Sequence, residues 1–310
     1  MKVLVLGSNG LVGSSLVRTL SNNKMYDEVI GSNRQALDLF ELNSVKSYIE
    51  DCRPDVIINA AAKVGGILAN NTYRADFILE NLKININLLE ALIPFKDIKL
   101  INLGSSCIYP LDAKNPIKEE YIMTGELEAT NSPYAMAKLT AIELGNSLKT
   151  QYGHKVINLM PTNLYGPNDN FSDKDSHVIP GLMGRMHKIK IKGDEKFEVW
   201  GTGKPLREFL YVDDLANAIS FIIENNIEDE LINIGSNQEI SIKELVNILM
   251  EVVNFNGKIT FNSNYPDGNP RKLLDSSKIS SYGWEPKVQI DEGLNLTYKW
   301  YLNNLDTISS

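Results

Sequence analysis

The stretch VLVLGSNGLVG (residues 3–13) decides the fold, because it joins a short apolar strand to a glycine-rich turn and the start of a helix. Gly7, Gly10 and Gly13 follow the pattern GxxGxxG. Glycines at this spacing allow a tight turn and let the backbone approach a pyrophosphate, which then lies at a helix N-terminus. A structural turn alone is the alternative, but the position directly after the first strand favours a dinucleotide site.

Outward from this stretch, strand and helix patterns alternate through the first half of the chain. Short runs rich in Val, Ile and Leu predict strands at residues 3–6, 29–30, 56–58, 100–103 and 156–159, with helices between them. Strands that are apolar on both faces and alternate with helices are typical of a parallel sheet covered on both sides. The sequence therefore predicts an α/β protein with a Rossmann-type doubly wound parallel sheet.

The amino-acid composition of the chain changes after Pro161. Residues 161–181, PTNLYGPNDNFSDKDSHVIPG, are rich in Gly, Pro, Asn and Asp and predict a long loop. Loops of this length in compact proteins are usually functional or disordered. We expect the Rossmann domain to comprise residues 1–161 plus about 208–234, and a smaller α/β C-terminal domain to comprise about 162–207 plus 235–310.

The composition argues against several other classes of protein. Lys and Arg number 31 against 39 Asp and Glu, and the net charge of −8 argues against a nucleic-acid partner. Cys52 and Cys107 are too few for a disulfide framework or a zinc site, so no metal is expected. MKVLVLG (residues 1–7) predicts a strand and not a signal peptide, and no apolar run approaches the roughly 18 residues of a membrane span. We expect a cytoplasmic protein with no membrane partner.

The end of the second predicted strand offers no acid for a ribose hydroxyl, where NAD enzymes usually place one. In VIGSNRQALD (residues 29–38) the strand is followed by Ser, Asn and then Arg34, and the nearest later acid, Asp38, lies too far along. A guanidinium without a carboxylate favours a 2′-phosphate, so the sequence predicts NADP(H). A solvated surface arginine is the alternative.

Tyr134 and Lys138 stand four residues apart in SPYAMAK (residues 132–138), on one face of a predicted helix. An ammonium beside a phenol is expected to lower the pKa of the phenol and let it exchange a proton with a carbonyl oxygen. About one YxxxK is expected by chance in such a chain. Its place downstream of Ser105, at the end of the fourth strand, favours a set that holds a ketone oxygen for hydride transfer.

Cys107 lies two residues beyond Ser105, in LGSSCIYP (residues 103–110). A packed structural thiol is one interpretation, because free Cys is among the most buried residue types. A reactive thiol beside the cofactor is the other. The residues alone leave both open.

Seven segments carry a resemblance to a known family. They are NAAAKVGGILANNTYRADFI (59–78), LGSSCIYP (103–110), EATNSPYAMAK (128–138), MPTNLYGPNDNF (160–171), SHVIPGL (176–182), WGTGKPLREFLYVDDLA (200–216) and PDGNPRKLLD (266–275). On these residues the sequence resembles the extended short-chain dehydrogenases/reductases, and within them the GDP-L-fucose synthase family. The resemblance covers nearly the whole chain, and its later segments are more specific than the glycine loop or YxxxK.

The resemblance implies an NADPH-dependent 3,5-epimerase and 4-reductase that converts GDP-4-keto-6-deoxy-D-mannose to GDP-L-fucose. It implies that Ser105, Tyr134 and Lys138 act in reduction, and that Cys107 and His177 are the base and acid of epimerisation. It also implies a homodimer formed through the helices near 77–92 and 133–150. The cofactor-binding set is Gly7, Ser8, Asn9, Gly10, Leu11, Val12, Gly13, Arg34, Leu103, Gly104, Ser105, Ser106, Lys138, Pro161, Thr162, Asn163, Leu164 and His177.

The same resemblance places five residues around the GDP-linked substrate: Arg185, Trp200, Arg207, Asp267 and Lys272. Arg and Lys suit a diphosphate, an indole can pack against a base or sugar, and a carboxylate can accept guanine N–H groups. Each of them could equally be an ordinary surface residue.

Three alternatives stay open at this point. A cofactor-binding regulatory protein would keep the glycine loop but would not need Tyr134, Lys138, Cys107 and His177 together. A structural protein would not need an Arg/Lys/Trp set on the second domain. A C4-reductase, with or without epimerase activity, on a related GDP-4-keto sugar such as a deoxy-heptose is harder to separate. One methylene group in a sugar pocket is worth only about 1–3 kcal/mol of discrimination.

Overall fold

The computed structural model describes residues 1–172, 175–265 and 267–308. Residues 173 and 174 of the predicted long loop, residue 266 and the last two residues of the predicted second domain lie outside the described residues. The strands are β1 (Lys2–Leu6), β2 (Glu28–Ser32), β3 (Val56–Asn59), β4 (Lys99–Leu103), β5 (Val156–Pro161), β6 (Asn163–Tyr165), β7 (Lys196–Trp200), β8 (Leu206–Tyr211), β9 (Leu231–Ile234), β10 (Glu239–Ser241), β11 (Lys258–Asn262) and β12 (Arg271–Lys272). The α-helices are α1 (Leu11–Ser21), α2 (Leu42–Cys52), α3 (Ile67–Thr72), α4 (Arg74–Leu92), α5 (Ser132–Tyr152), α6 (Val178–Lys192), α7 (Val212–Glu224), α8 (Ile242–Val253), α9 (Ser277–Ser281), α10 (Ile290–Asn303) and α11 (Leu305–Ile308).

A six-stranded parallel sheet forms the centre of the molecule, with the strand order β2-β1-β3-β4-β5-β9. Most side chains of β1, β3, β4 and β5 are buried, because helices cover both faces of the sheet. The predicted doubly wound Rossmann-type fold is confirmed. The strand order reverses between β1 and β3, and ligands of such sheets bind beyond the carboxyl ends of the strands at that point.

Two smaller sheets lie outside the parallel sheet. In one, β8 pairs with β6, β10 and β12, and in the other β7 pairs with β11. A second core packs around them, built from aromatic and aliphatic side chains that include Tyr165, Phe171, Met183, Phe197 and Leu249. The division into two domains and its boundaries stay a prediction. Among the described helices, none is long and apolar enough to cross a lipid bilayer.

The predicted loop over residues 161–181 is shorter in the structure, which leaves only residues 166–177 between β6 and α6. Asn163 pairs with Phe209 in parallel register, and its side-chain amide donates to the Glu208 carbonyl oxygen at 2.8 Å. A three-residue strand that follows a proline has too few residues to show a period of two. The sequence pattern therefore could not indicate β6.

Buried asparagines link the central strands. Asn59, Asn102 and Asn158 are nearly or fully buried and occupy facing positions on β3, β4 and β5. The Asn59 and Asn102 amides donate along this row at 3.2 and 3.1 Å, and Asn59 also donates to Asn85 of α4 at 3.2 Å. Buried polar groups of this kind need partners, and this row supplies them across three strands. It fixes the relative register of the strands that carry the site.

Candidate active site

The glycine loop lies at the point where the sheet reverses. Gly7 has a φ of 76°, and a Cβ there would come within 2.9 Å of the Ala61 backbone after β3. A Cβ on Gly13 would come within 2.1 Å of the Gly7 carbonyl oxygen. The amides of Gly7 and Ser8 both donate to the Ser32 carbonyl oxygen at the end of β2. Only glycine fits these two contacts, so the loop brings bare backbone to the N-terminus of α1.

The remaining loop residues, Asn9, Gly10, Leu11 and Val12, complete the turn into α1. The first amides of a helix have no partner inside the helix, and together with the helix dipole they suit an anion. The structure thus passes the test for a pyrophosphate of a dinucleotide: an opening lined by backbone where side chains cannot fit, directed by a helix N-terminus.

Arg34 lies beyond β2, exposed, with its guanidinium 4.8 Å from the centre of the Phe40 ring. The Asn33 carboxamide accepts from the amides of Gln35 and Ala36 and thereby fixes the turn. Lys83 of α4 lies 5.8 Å from the centre of the same Phe40 ring. Two cations therefore flank one aromatic ring at this edge, and the sequence reasoning had found only Arg34.

Ser105, Tyr134 and Lys138 are brought together by β4 and α5. The Lys138 ammonium donates to the Leu103 carbonyl oxygen at 2.7 Å and lies 5.8 Å from the centre of the Tyr134 ring. Ser105 hydrogen-bonds to the Tyr134 side chain, and the Ser105 hydroxyl oxygen also accepts from the Cys107 amide at 3.2 Å. Lys138 is only 2% exposed. Burial lowers its pKa to about 8.

The pKa of Tyr134 is raised, which is opposite to the expectation from its lysine neighbour. Burial is the main cause, the nearby Cys107 adds to it, and the hydrogen bond with Ser105 opposes it. The expectation was wrong because desolvation penalises a phenolate more than the Lys138 charge stabilises it. Tyr134 consequently remains a protonated phenol at neutral pH, which is the form that donates a proton to a ketone.

Cys107 lies in a short 3-10 helix, Ser106–Ile108, whose N-cap is Ser105. Its thiol is partly exposed, in contrast to its buried neighbours Ser106 and Ile108. The Lys272 ammonium lies 3.6 Å from the Cys107 sulfur. Lys272 lies on β12, which pairs with β8. A partly exposed thiol beside an ammonium has the surroundings of a reactive cysteine and not those of packed core.

His177 caps the N-terminus of α6, and its side chain is 46% exposed. The preceding turn rests on the segment before α3, where the Gly66 amide donates to the Asp175 carbonyl oxygen at 3.0 Å. A Cβ on Gly65 would touch both Asp175 and the ring of Phe77. Phe77 in turn makes an edge contact with Tyr134, with 6.4 Å between ring centres. A continuous row of packing therefore connects the His177 turn to the phenol.

Four of the predicted substrate residues form a second cluster on the smaller sheets. The Arg185 guanidinium lies 4.8 Å from the Trp200 ring centre. Asp267 accepts from the Thr202 amide and hydroxyl at 2.6 and 2.7 Å, and these hydrogen bonds lower its pKa. Arg207 is close enough to Asp267 for their charges to interact. Lys272 pairs in register with Arg207 of β8, and its ammonium lies at the thiol.

The other predicted cofactor residues surround the carboxyl ends of β4 and β5. Gly104 lies against Met160, where a Cβ would come within 2.1 Å of the Met160 methyl group. The segment of Pro161, Thr162, Asn163 and Leu164 continues from β5 into β6. The amide of Thr162 donates to the carbonyl oxygen of Ile234 at 3.0 Å. These residues border the same edge of the parallel sheet as the glycine loop.

Residues 3–235 match the model of the NAD dependent epimerase/dehydratase family. The chain belongs to this family. GDP-L-fucose synthase 1 of Arabidopsis thaliana is 49% identical over 98% of this chain and 94% of its own length. The structure of a GDP-L-fucose synthetase from Naegleria fowleri bound to NADP is 28% identical, with a TM-score of 0.88 over 98% of this chain and 95% of that one. A GDP-mannoheptose C4 reductase from Campylobacter jejuni with NADP bound is 33% identical, with a TM-score of 0.85 over 97% and 98%.

This member of the epimerase/dehydratase family has site residues that sequence reasoning missed. The Tyr265 ring stacks on Trp200, with 4.8 Å between ring centres and 17° between planes. An aromatic residue in an exposed segment rich in Asn and Ser was the available signal. The contact between Lys272 and Cys107 had no local signal, because the two residues are 165 positions apart.

Proposed function

We propose that this protein is a bifunctional NADPH-dependent 3,5-epimerase and 4-reductase that converts GDP-4-keto-6-deoxy-D-mannose to GDP-L-fucose. One observation carries the proposal: Cys107 stands beside the Ser105, Tyr134 and Lys138 set with an ammonium of its own, from Lys272. A reductase needs only the first three side chains. The additional thiol and its cation are what a proton abstraction next to the same ketone requires.

The cofactor residues fit NADPH, which supplies a hydride when bound. The glycine loop would hold the pyrophosphate at the N-terminus of α1, and Arg34 would bind the 2′-phosphate. No acidic residue of β2 follows its first position, Glu28, so nothing on that strand end competes for a ribose hydroxyl. The NADP-bound relatives support the same choice of cofactor.

Epimerisation begins at the C–H bonds next to the C4 ketone, which the ketone makes acidic. The Cys107 thiolate removes a proton from C3 or C5, and the electron pair of that bond moves to the C4 oxygen to form an enolate. Ser105 and Tyr134 donate hydrogen bonds to this oxygen as its charge develops. His177 returns a proton to the carbon from the other face of the sugar, which inverts the centre.

Reduction uses the same hold on the C4 oxygen. Tyr134 transfers its phenolic proton to the oxygen as C4 accepts the hydride, and the Lys138 charge stabilises the phenolate that remains. The raised pKa of Tyr134 keeps the proton available until the oxygen becomes basic. One set of donors thereby serves both half-reactions.

The cluster of Arg185, Trp200, Arg207 and Asp267 binds the GDP portion in this proposal. Arginines suit the diphosphate, and the exposed indole offers a flat surface to the base. The stacked Tyr265 extends that surface. The cluster lies on the smaller sheets, and the chemistry lies at the edge of the parallel sheet, so substrate binding spans both.

The test is an NMR assay of GDP-4-keto-6-deoxymannose in D₂O, before and after NADPH is added. We expect deuterium at C3 and C5 without NADPH, and GDP-L-fucose after its addition. Reduction without any deuterium exchange would contradict the epimerase half of the proposal. Exchange without reduction would contradict the other half.

A C4-reductase for a related GDP-4-keto sugar, such as a deoxy-heptose, is the second candidate. The resemblance to the GDP-mannoheptose C4 reductase supports it, at 33% identity against 49% for the plant GDP-L-fucose synthase. Competition between the two sugars in the same assay separates the candidates by their kcat/KM ratio.

The predicted homodimer belongs to the proposal as well. α4 and α5 pack against each other and carry exposed apolar side chains, among them Leu79, Ile86 and Met136. A second copy of the chain would cover them. Sedimentation equilibrium tests this, and a monomer at micromolar concentration would contradict it. The predicted location in the cytoplasm stays a prediction.

A further inference from the structure

The loop between β6 and α6 contains a buried carboxylate with one oxygen that accepts no hydrogen bond from the described residues. The Asp169 side chain is 4% exposed, and its Oδ1 accepts from the Asn170 amide at 2.8 Å. Its Oδ2 is buried without a hydrogen-bond partner in the described part of the chain. A buried charge is costly unless it is paired, so this position requires a reason.

The surrounding backbone holds Asp169 firmly in place. Tyr165 and Phe171, on either side of it in sequence, are both buried in the second core, and Phe171 packs on Tyr301 with 4.7 Å between ring centres. Asn168 takes a left-handed φ of 65°, which Asn tolerates better than most residues. The turn is therefore fixed at both ends, and its backbone sets the position of the Asp169 carboxylate.

The side chain that faces Asp169 is His177. Its Nδ1 lies 3.9 Å from Asp169 Oδ1, which is ion-pair distance but longer than a hydrogen bond. The first turns of α6 pack in the same core as Tyr165 and Phe171 through Ile179 and Met183. Both members of the pair are thus fixed to the same core, while the imidazole itself is 46% exposed.

We propose that Asp169 is a positioning residue for His177. It accepts a hydrogen bond from His177 Nδ1–H and so leaves Nε2 as the nitrogen that gives a proton to the sugar enolate. The Asp169 carboxylate has one oxygen, Oδ2, without a partner, and its other oxygen, Oδ1, lies 3.9 Å from the imidazole. The inference rests on the proposed epimerase function, because it assigns a partner to the acid of that reaction. A histidine oriented by a carboxylate in this way has one defined tautomer and can stabilise the imidazolium form.

The experiment is a double-mutant cycle on deuterium incorporation at C3 and C5 in D₂O without NADPH. Asp169→Asn keeps the shape and removes the charge, and we expect it to slow exchange by about tenfold, a part of what general acid–base catalysis supplies. In the His177→Gln background the same substitution should change the rate by less than about twofold, because its effect passes through the imidazole. Equal losses in both backgrounds would show a merely structural role and overturn the inference.

Asp175→Asn is the matched control, since it makes the same chemical change at an exposed acid two residues from His177. It should leave exchange at the wild-type rate. A wild-type enzyme that shows no exchange would refute the proposed epimerase, whereas wild-type exchange that Asp169→Asn leaves intact would refute only the role of Asp169.

A second measurement needs no folded variant of Asp169. The chain has three histidines, and the His177→Gln spectrum assigns the ¹⁵N resonances of His177 in the wild-type protein. We expect Nδ1 to carry the proton and Nε2 to be free in the neutral ring. A neutral ring protonated at Nε2 would overturn the inference whatever the exchange rates show.

Discussion

The residues proposed for reduction and those proposed for epimerisation are supported in different ways. Tyr134 and Lys138 stand on one long helix, and Lys138 is 2% exposed and anchored to the end of β4. Cys107 stands in a short 3-10 helix, and His177 at a helix N-cap with its ring 46% exposed. The partner of Cys107, Lys272, comes from the smaller sheets.

This difference shows how one ketone-binding site can gain a second reaction. The residues proposed for reduction lie at the end of β4 and on α5, before residue 161. Of those proposed for epimerisation, Cys107 has its neighbouring ammonium, and His177 its position, from segments that follow residue 161. Substitutions in those segments should therefore damage proton exchange and spare hydride transfer, and the predictions below test that separation.

Cys107→Ser should produce the largest effect. A serine hydroxyl keeps a similar shape but hardly ionises, so deuterium exchange at C3 and C5 should fall by about 10³, within the range of general base catalysis. NADPH oxidation with the unepimerised ketone should persist, because Ser105, Tyr134 and Lys138 are intact. NMR detects both, together with a product of altered stereochemistry. Undiminished exchange would return Cys107 to a structural role.

Tyr134→Phe should impair reduction, the half-reaction that Cys107→Ser spares, and should also slow exchange because the phenol donates to the enolate oxygen. The ring and its packing on Phe77 remain, but no proton donor is left at the C4 oxygen. Single-turnover hydride transfer should fall by about 10² or more. NADPH binding, measured by fluorescence, should be unchanged and is the control. Near-wild-type reduction would mean that Tyr134 is not the proton donor.

Reduction should also depend on pH through Lys138. Burial lowers its pKa to about 8, so the ammonium loses its proton as pH rises through 8. Since that charge stabilises the phenolate of Tyr134, single-turnover reduction should be constant below about pH 7 and decline above pH 8, by up to about tenfold per pH unit. Lys138→Met should give a slow rate without this inflection. A wild-type rate that stays constant to pH 9.5 would contradict the role of the charge.

The lowered pKa of Lys138 also affects stability, which should increase with pH over the range in which reduction declines. The unfolded chain keeps the lysine protonated up to its ordinary pKa of 10.5, and the folded chain does not. The unfolded state therefore binds more protons between pH 8 and 10.5, so the contribution of Lys138 to the free energy of unfolding increases over that interval.

The parallel sheet was predictable because each of its strands carries its own signal. Apolar runs such as residues 100–103 indicate buried strands from local sequence alone, and the glycine loop is one continuous segment that is recognisable in the same way. The contact of Lys272 with Cys107 joins residues 165 positions apart, which no local pattern encodes. The direction in which the Tyr134 pKa shifts depends on burial, and burial is a property of the assembled fold. The helical spacing correctly predicted that Tyr134 and Lys138 are neighbours, but it led to the wrong direction for the shift of the Tyr134 pKa.

Lys272→Gln should weaken exchange more than reduction. The Lys272 ammonium lies 3.6 Å from the Cys107 sulfur, and a charge-assisted contact of this kind is worth about 1.5 kcal/mol or about tenfold. Lys258→Gln, at an exposed lysine on β11 of the smaller sheets, is the matched control. The alkylation rate of Cys107 by iodoacetamide measures the effect directly, with Cys107→Ser as the blank for Cys52. Equal alkylation rates in wild type and Lys272→Gln would contradict a role of Lys272 at the thiol and leave only its predicted role in binding the diphosphate.

Arg34→Ala should have the smallest effect and should spare both reactions at saturating cofactor. Arg34 is exposed, but its guanidinium is held over the Phe40 ring at 4.8 Å, so little freedom is lost when it binds a phosphate. NADPH affinity should therefore fall by about fivefold to tenfold, the scale of one charge-assisted contact, while NADH affinity stays the same. Lys83→Ala tests the second cation at this ring and should have a weaker effect of the same kind. Fluorescence titration at two salt concentrations measures both variants, and the NADPH losses should shrink at high salt because the contacts are exposed to solvent. Equal losses for NADPH and NADH would show that Arg34 supports the fold of the turn and does not select the phosphate.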